Sequence, residues 1–198
     1  MHFVYCLLMT AAAGVAQADE PTVEVFLPPG PGTMNTALMR AREVVEKIYA
    51  EIGVRVIWRS TTSRPAGCSK TPLHQRIVVA LAATTPERVN DSALAYSNPF
   101  ATKGPCVTLF MDRLQTDART NPDRSVFLIA HVLAHEMGHV LQRISRHSES
   151  GVMKRRWSLS ETSYLSTDWL HFSSYDAELI LQSLTAGYQA GSHGKTGP

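Results

Sequence analysis

Val126-Phe127-Leu128-Ile129-Ala130-His131-Val132-Leu133-Ala134-His135-Glu136-Met137-Gly138-His139-Val140 is the stretch from which the rest of this 198-residue chain is best read. Val126, Ala130, Leu133, Met137, Val140 and Ile144 recur at helical spacing, and Leu128 and Val132 form a second apolar stripe, so the spacing predicts a helix buried on two sides. Asn121-Pro122-Asp123 supplies its start signal. Residues four apart on such a helix differ by about 40° in direction and about 6 Å along the axis, so the imidazoles of His135 and His139 can converge on one ion. Glu136 falls on the adjoining face, where a carboxylate reaches a metal-bound water without taking a ligand position. Buried charge is costly unless a metal or a partner compensates it, which favours this reading over chance.

A structural zinc normally takes four protein ligands and a catalytic one takes three plus water, so a third ligand is needed. His147 is the first candidate. On a continuing helix it would lie about 12 Å beyond His139, so the chain must break and turn back between them. Ser145, Arg146 and Ser148 permit a break, although no Gly separates the two histidines. Glu149 and Glu161 are the alternative carboxylate ligands. His131, one turn before His135, is too far along the axis to share the ion and is assigned to packing or to supporting the ligands. His74, His171 and His193 are isolated.

Upstream, Thr22 to Leu27 reads as a strand closed by Pro28-Pro29-Gly30-Pro31-Gly32, Thr36 to Ile52 as an amphipathic helix, and Val54 to Trp58 as a second strand. That β-α-β order implies a right-handed parallel crossover. Ser60 to Thr71 reads as loop, Gln75 to Ala83 as a strand buried on both faces, Leu94 to Ser97 as a possible edge strand and Pro105 to Met111 as another strand. Asp112 to Asp123 reads as a polar connection. The fold class expected is α+β, tending to α/β.

Residues 1–18 contain no Asp, Glu, Lys or Arg and end Ala16-Gln17-Ala18, which reads as a signal peptide directing the chain to the periplasm or outside the cell. One domain, 19–190, and a flexible tail, 191–198, are expected to follow. Cleavage would remove Cys6 and leave Cys68 and Cys106 in an oxidising compartment, where a disulfide between them is expected. The formal charge of +2 is mixed in origin, and the longest basic run, Lys154-Arg155-Arg156, has three residues. Neither nucleic acid nor stable membrane insertion is called for, and a monomer is expected.

His135, Glu136, His139 and His147, followed by Ser150-Gly151-Val152-Met153, resemble the metzincin clan of zinc peptidases, whose signature H-E-x-x-H-x-x-G-x-x-H precedes a tight turn containing Met. Here the third His comes two residues late and Gln142 stands at the Gly position. The chain looks more like a group of small secreted bacterial proteins with H-E-x-G-H, a seven-residue gap, His-Ser and then Gly-Ile/Val-Met. That resemblance implies a twisted mixed sheet with a backing helix and an active-site helix, and Trp169, Leu170, Phe172, Leu179, Ile180 and Leu184 suggest a C-terminal helix packing behind the site. The resemblance further implies one Zn2+ per chain, a floor formed by Met153, and an edge strand at Leu94 to Ser97 that pairs with an extended peptide. The implied activity is metalloendopeptidase, with Glu136 as general base and Tyr164 or Tyr96 as a carbonyl-stabilising group. A non-catalytic zinc-binding protein on the same fold is the alternative.

Overall fold

Val23 and Val25 are fully buried on β1 (Thr22–Phe26) because this strand has a parallel neighbour on each edge, β2 (Arg55–Arg59) and β4 (His74–Ala82). The computed structural model describes residues 20–59, 65–90, 92–101, 103–120, 122–158, 160–161 and 169–186. Between β1 and β2 runs α1 (Thr33–Ala50), which buries Leu38, Ala41, Val45 and Ile48 at helical spacing. Gly32 (φ 52) precedes it and Gly53 (φ 71) follows it, both in the left-handed region that glycine enters without a Cβ penalty.

β3 (Ser69–Thr71) pairs antiparallel with the start of β4, and β6 (Val107–Phe110) pairs parallel with its end. β5 (Ala95–Ser97) lies antiparallel on β6 and closes the sheet, whose order is β2-β1-β4-β6-β5. This is a twisted mixed sheet with helices packed on it, and the α+β class read from the sequence holds. The short run Leu94 to Ser97 does form the antiparallel edge.

The motif-bearing helix is α3 (Pro122–Gln142), preceded by α2 (Met111–Thr120). Along α3 nearly every side chain from Ser125 to Gln142 is buried, since the helix packs beside α1 and also meets β4, β5 and β6. The Tyr49 hydroxyl of α1 donates to the Ala134 carbonyl at 2.9 Å, and its ring stands 5.1 Å from that of Phe172. A buried phenol with a satisfied O–H ties α1 to α3 one residue before the histidine motif. α4 (Ser174–Thr185), the expected C-terminal helix, packs against α3.

Two expectations are corrected. The polar connection at Asp112 to Asp123 is largely helix α2, because Met111 and Leu114 are buried and Ala118 packs against the core, an apolar stripe beneath a polar surface. The end of the loop Ser60 to Thr71 is strand β3. The proposed signal peptide 1–18, the tail 191–198, Cys6, Tyr164 and His193 lie outside the described residues. Among the described residues no helix is long and apolar enough to cross a membrane.

Cys68 and Cys106 form the expected disulfide across 38 positions, joining the segment before β3 to the start of β6. Both are buried, and closing a loop of that length stabilises the fold by roughly 3 to 4 kcal/mol through the unfolded chain.

Candidate metal centre

His135 and His139 are buried, and each is oriented by its own second nitrogen. Nδ1–H of His135 donates to the Val152 carbonyl at 2.8 Å, and Nδ1–H of His139 donates to the Ile144 carbonyl at 3.0 Å. A carbonyl can only accept, so both protons sit on Nδ1 and both Nε2 atoms present bare lone pairs. These two lone pairs face each other at 3.1 Å with no proton between them. Two nitrogens on one tetrahedral zinc stand about 3.3 to 3.4 Å apart, so a shared cation resolves what is otherwise repulsion. Burial holds both imidazoles down at about 4, the backbone hydrogen bonds opposing it, so they are neutral and available as ligands at pH 7.

His147 completes the group, its ring 5.3 Å from that of His135 and 4.9 Å from that of His139. The nitrogens of all three lie within 4.8 Å of one another, and this is the set of potential ligands brought together among the described residues. Glu149 is not part of it. Glu161 is occupied elsewhere, both oxygens taking the Lys154 ammonium at 2.7 and 2.8 Å and one also accepting the Ser158 N–H.

The chain returns to the helix through Arg143, which takes a left-handed φ of 54, and the Ile144 N–H reaches back to the His139 carbonyl at 3.4 Å. This is the Schellman closure usually made with Gly, here formed by an arginine at a cost of about 1 kcal/mol. Past the turn, Arg146 and Ser148 flank His147, and both are gripped by Asp176, a carboxylate with 0% exposure in the first turn of α4. Its Oδ1 accepts from Arg146 Nη2 at 2.7 Å and from Gln142 at 3.3 Å, and its Oδ2 from the hydroxyls of Ser148 and Ser173 at 2.6 and 2.5 Å. Gln142, at the position where the resemblance leads one to expect Gly, is thus one of four donors that fix the longer loop.

Asp176 was not singled out in the sequence. The available signal, Ser173 three residues before it, marks a helix cap and nothing more. Asp176→Asn removes the charge that balances Arg146 and turns an acceptor into a donor facing donors. It should lower the affinity of the three-histidine group for zinc by roughly 10- to 100-fold, the range for groups that hold ligands in place, read by competition with a chelator.

The turn after His147 supports the group from below. Gly151 (φ 74) has no alternative, because a Cβ there would stand 2.3 Å from the His171 carbonyl oxygen. Val152 donates its N–H to that oxygen at 2.9 Å and offers its own carbonyl to His135. Met153 is fully buried against Gly138, where a Cβ would meet its sulfur at 2.5 Å. The glycine inside the histidine motif therefore makes room for the methionine.

Glu136 lines the cleft with His135 and His147, and so do Leu94 and the first residue of β5, Ala95. Burial raises its pKa, while a hydrogen bond from Ser97 and the nearby His139 act to lower it. Tyr96 is not available to this cleft. Ala95 and Ser97 face α3, so alternation along β5 turns Tyr96 to the other face, where its ring lies 5.9 Å from that of Phe110.

His131, fully buried, donates Nδ1–H to the Phe127 carbonyl at 2.6 Å and accepts the Leu170 N–H at Nε2, 2.8 Å away. It pins the 169–172 segment to α3 in its neutral form, with burial holding its pKa at about 4 against an ordinary 6.5. Between those values the unfolded chain carries the extra proton. Stability complete above about pH 6.5 is therefore lost as pH falls toward 4, by roughly 3 kcal/mol for this group. Urea denaturation across that range should show the loss, and His131→Gln, which keeps a donor and an acceptor, should remove this group's share of it and leave the share of His135 and His139, which burial depresses in the same way. His74 and His171 instead meet carboxylates, Glu24 at 3.3 Å and Glu51 at 2.6 Å.

No protein-family model matches the chain, and no curated protein does. Among solved structures it is similar to the crystal structure of archaemetzincin from Methanopyrus kandleri, at 16% identity over 86% of this chain and 98% of that one, with a TM-score of 0.49. A likeness at that level transfers nothing to the site, whose chemistry rests on its own geometry.

Proposed function

We propose that this chain is an exported, monomeric zinc-dependent endopeptidase in which His135, His139 and His147 hold one Zn2+ and Glu136 is the general base. The observation that carries the reading is the meeting of three imidazoles, two with lone pairs aimed at each other, beside a carboxylate that is not part of the ligand group. Three neutral imidazole nitrogens suit zinc and leave a fourth position for water. Bound zinc supplies a Lewis acid that polarises the scissile carbonyl and acidifies the attacking water. Glu136 takes the proton of that water at a carboxylate oxygen and returns it to the leaving nitrogen. Val152 and Ile144 hold the proton on Nδ1 of the two helix histidines and so keep both Nε2 atoms directed at the ion. The edge of β5 away from β6, which pairs with no other strand among the described residues, flanks the cleft and offers backbone groups to an extended peptide. Export is supported by the uncharged, apolar first eighteen residues and by the disulfide.

Metal analysis of the purified chain should give one zinc per molecule. A chelator should abolish cleavage of a peptide library and added zinc should restore it. One zinc per chain with no peptide cleaved would remove the enzymatic reading and leave a zinc-binding protein.

A further inference from the structure

The cleft that holds Glu136 has a volume of about 580 Å³, and its charge is lopsided. Among the described residues, four Lys or Arg line it, Arg124, Lys154, Arg155 and Arg156, against one Asp or Glu, Glu136. The chain as a whole carries only +2, so the bias is local. Lys154 is matched by Glu161 just outside the cleft. Arg155 and Arg156 are exposed, share the cleft wall with His147 and enter no ion pair among the described residues. The isolated tripeptide Lys154-Arg155-Arg156, unremarkable in sequence, becomes one wall of the site because the turn at Gly151 to Met153 returns the chain beneath α3. Guanidinium groups bind carboxylates through two parallel hydrogen bonds, and a concave site of one sign concentrates ligands of the other.

Resting on the peptidase reading, we propose that the cleft selects peptides bearing a carboxylate close to the scissile bond, received by Arg155 and Arg156. Apolar surface from Leu128, Val132 and Trp157 lies in the same cleft and suits an apolar residue next to the acidic one. The carboxylate belongs to an Asp or Glu side chain or to the substrate's own C-terminus.

Binding is read by fluorescence anisotropy on zinc-loaded Glu136→Gln, so that turnover does not intervene. The probes are labelled, end-blocked peptides of one apolar sequence carrying two Glu, two Gln or two Lys, together with the Gln peptide bearing a free C-terminus. The Glu peptide should bind roughly 10-fold or more tightly than the Gln peptide, and the advantage should shrink in about 1 M salt, an arm that needs no further variant. Adding Arg155→Glu and Arg156→Glu should transfer the preference to the Lys peptide. Tightening only with the free C-terminus also supports carboxylate recognition and places it at the chain end. Equal affinity for the Glu peptide, the Gln peptide and the Gln peptide with a free C-terminus overturns the proposal, as does a preference that survives charge reversal or an oligonucleotide that competes as well as the best carboxylate-bearing peptide. A wild type that binds a carboxylate-bearing peptide selectively but cleaves nothing removes the peptidase reading alone, and one that cleaves the Glu peptide, the Gln peptide and the Gln peptide with a free C-terminus equally removes this inference alone.

Discussion

Glu136→Gln should lower kcat for peptide cleavage by roughly 10²- to 10⁴-fold, the contribution of a positioned general base, while zinc content stays at that of the wild type. The amide matches the carboxylate in size and can keep the contact with Ser97, but it cannot take a proton from water. Glu136 stands outside the three-histidine group, so removing its charge leaves the ligand set intact. Steady-state kinetics on a cleavable peptide, with zinc measured on the same samples, separates the two effects. A variant as active as the wild type would show that another group accepts the proton. One that lost zinc as well would show that the carboxylate helps to hold the ion.

The part of this site that could be read in the sequence is the part that is local. His135, Glu136 and His139 lie within one turn of α3, and helical geometry alone predicts which way they point. Strands β1, β2 and β4 and helix α1 were legible for the same reason, since each buries a continuous or periodic apolar face. What holds His147 was not legible. The left-handed turn falls on Arg143, a residue with no preference for that conformation, and Asp176 reaches its donors from a helix 28 to 34 positions away. A carboxylate in the first turn of a helix reads as a dipole partner, and only the fold shows it buried among Gln142, Arg146, Ser148 and Ser173. Helix α2 was legible in principle, because Met111, Leu114 and Ala118 keep helical spacing, but its polar majority obscured the stripe. Tyr96 has suitable chemistry for the cleft, but the two-residue alternation along β5 turns it to the face of Phe110.

His147→Ala tests the least local element of the proposal. Loss of a direct ligand should reduce zinc affinity by more than the roughly 10- to 100-fold expected for a group that only positions one, so it should exceed the effect of Asp176→Asn. Peptide cleavage should fall with it at limiting zinc. His147 is exposed and lies in a loop gripped through its neighbours Arg146 and Ser148, so truncating its ring removes no buried packing and the fold should survive, which circular dichroism would verify. The competing carboxylates make the opposite prediction. If Glu149 or Glu161 were the third ligand, His147→Ala would bind zinc as the wild type does, and Glu149→Gln or Glu161→Gln respectively would release it. The geometry opposes that outcome for Glu161, because its carboxylate already carries the Lys154 ammonium and the Ser158 N–H, which hold its pKa at about 2. Glu161→Gln should accordingly free Lys154 and leave zinc in place. Retained tight binding in His147→Ala would mean that the loop brings its imidazole to the cleft for substrate and not for metal.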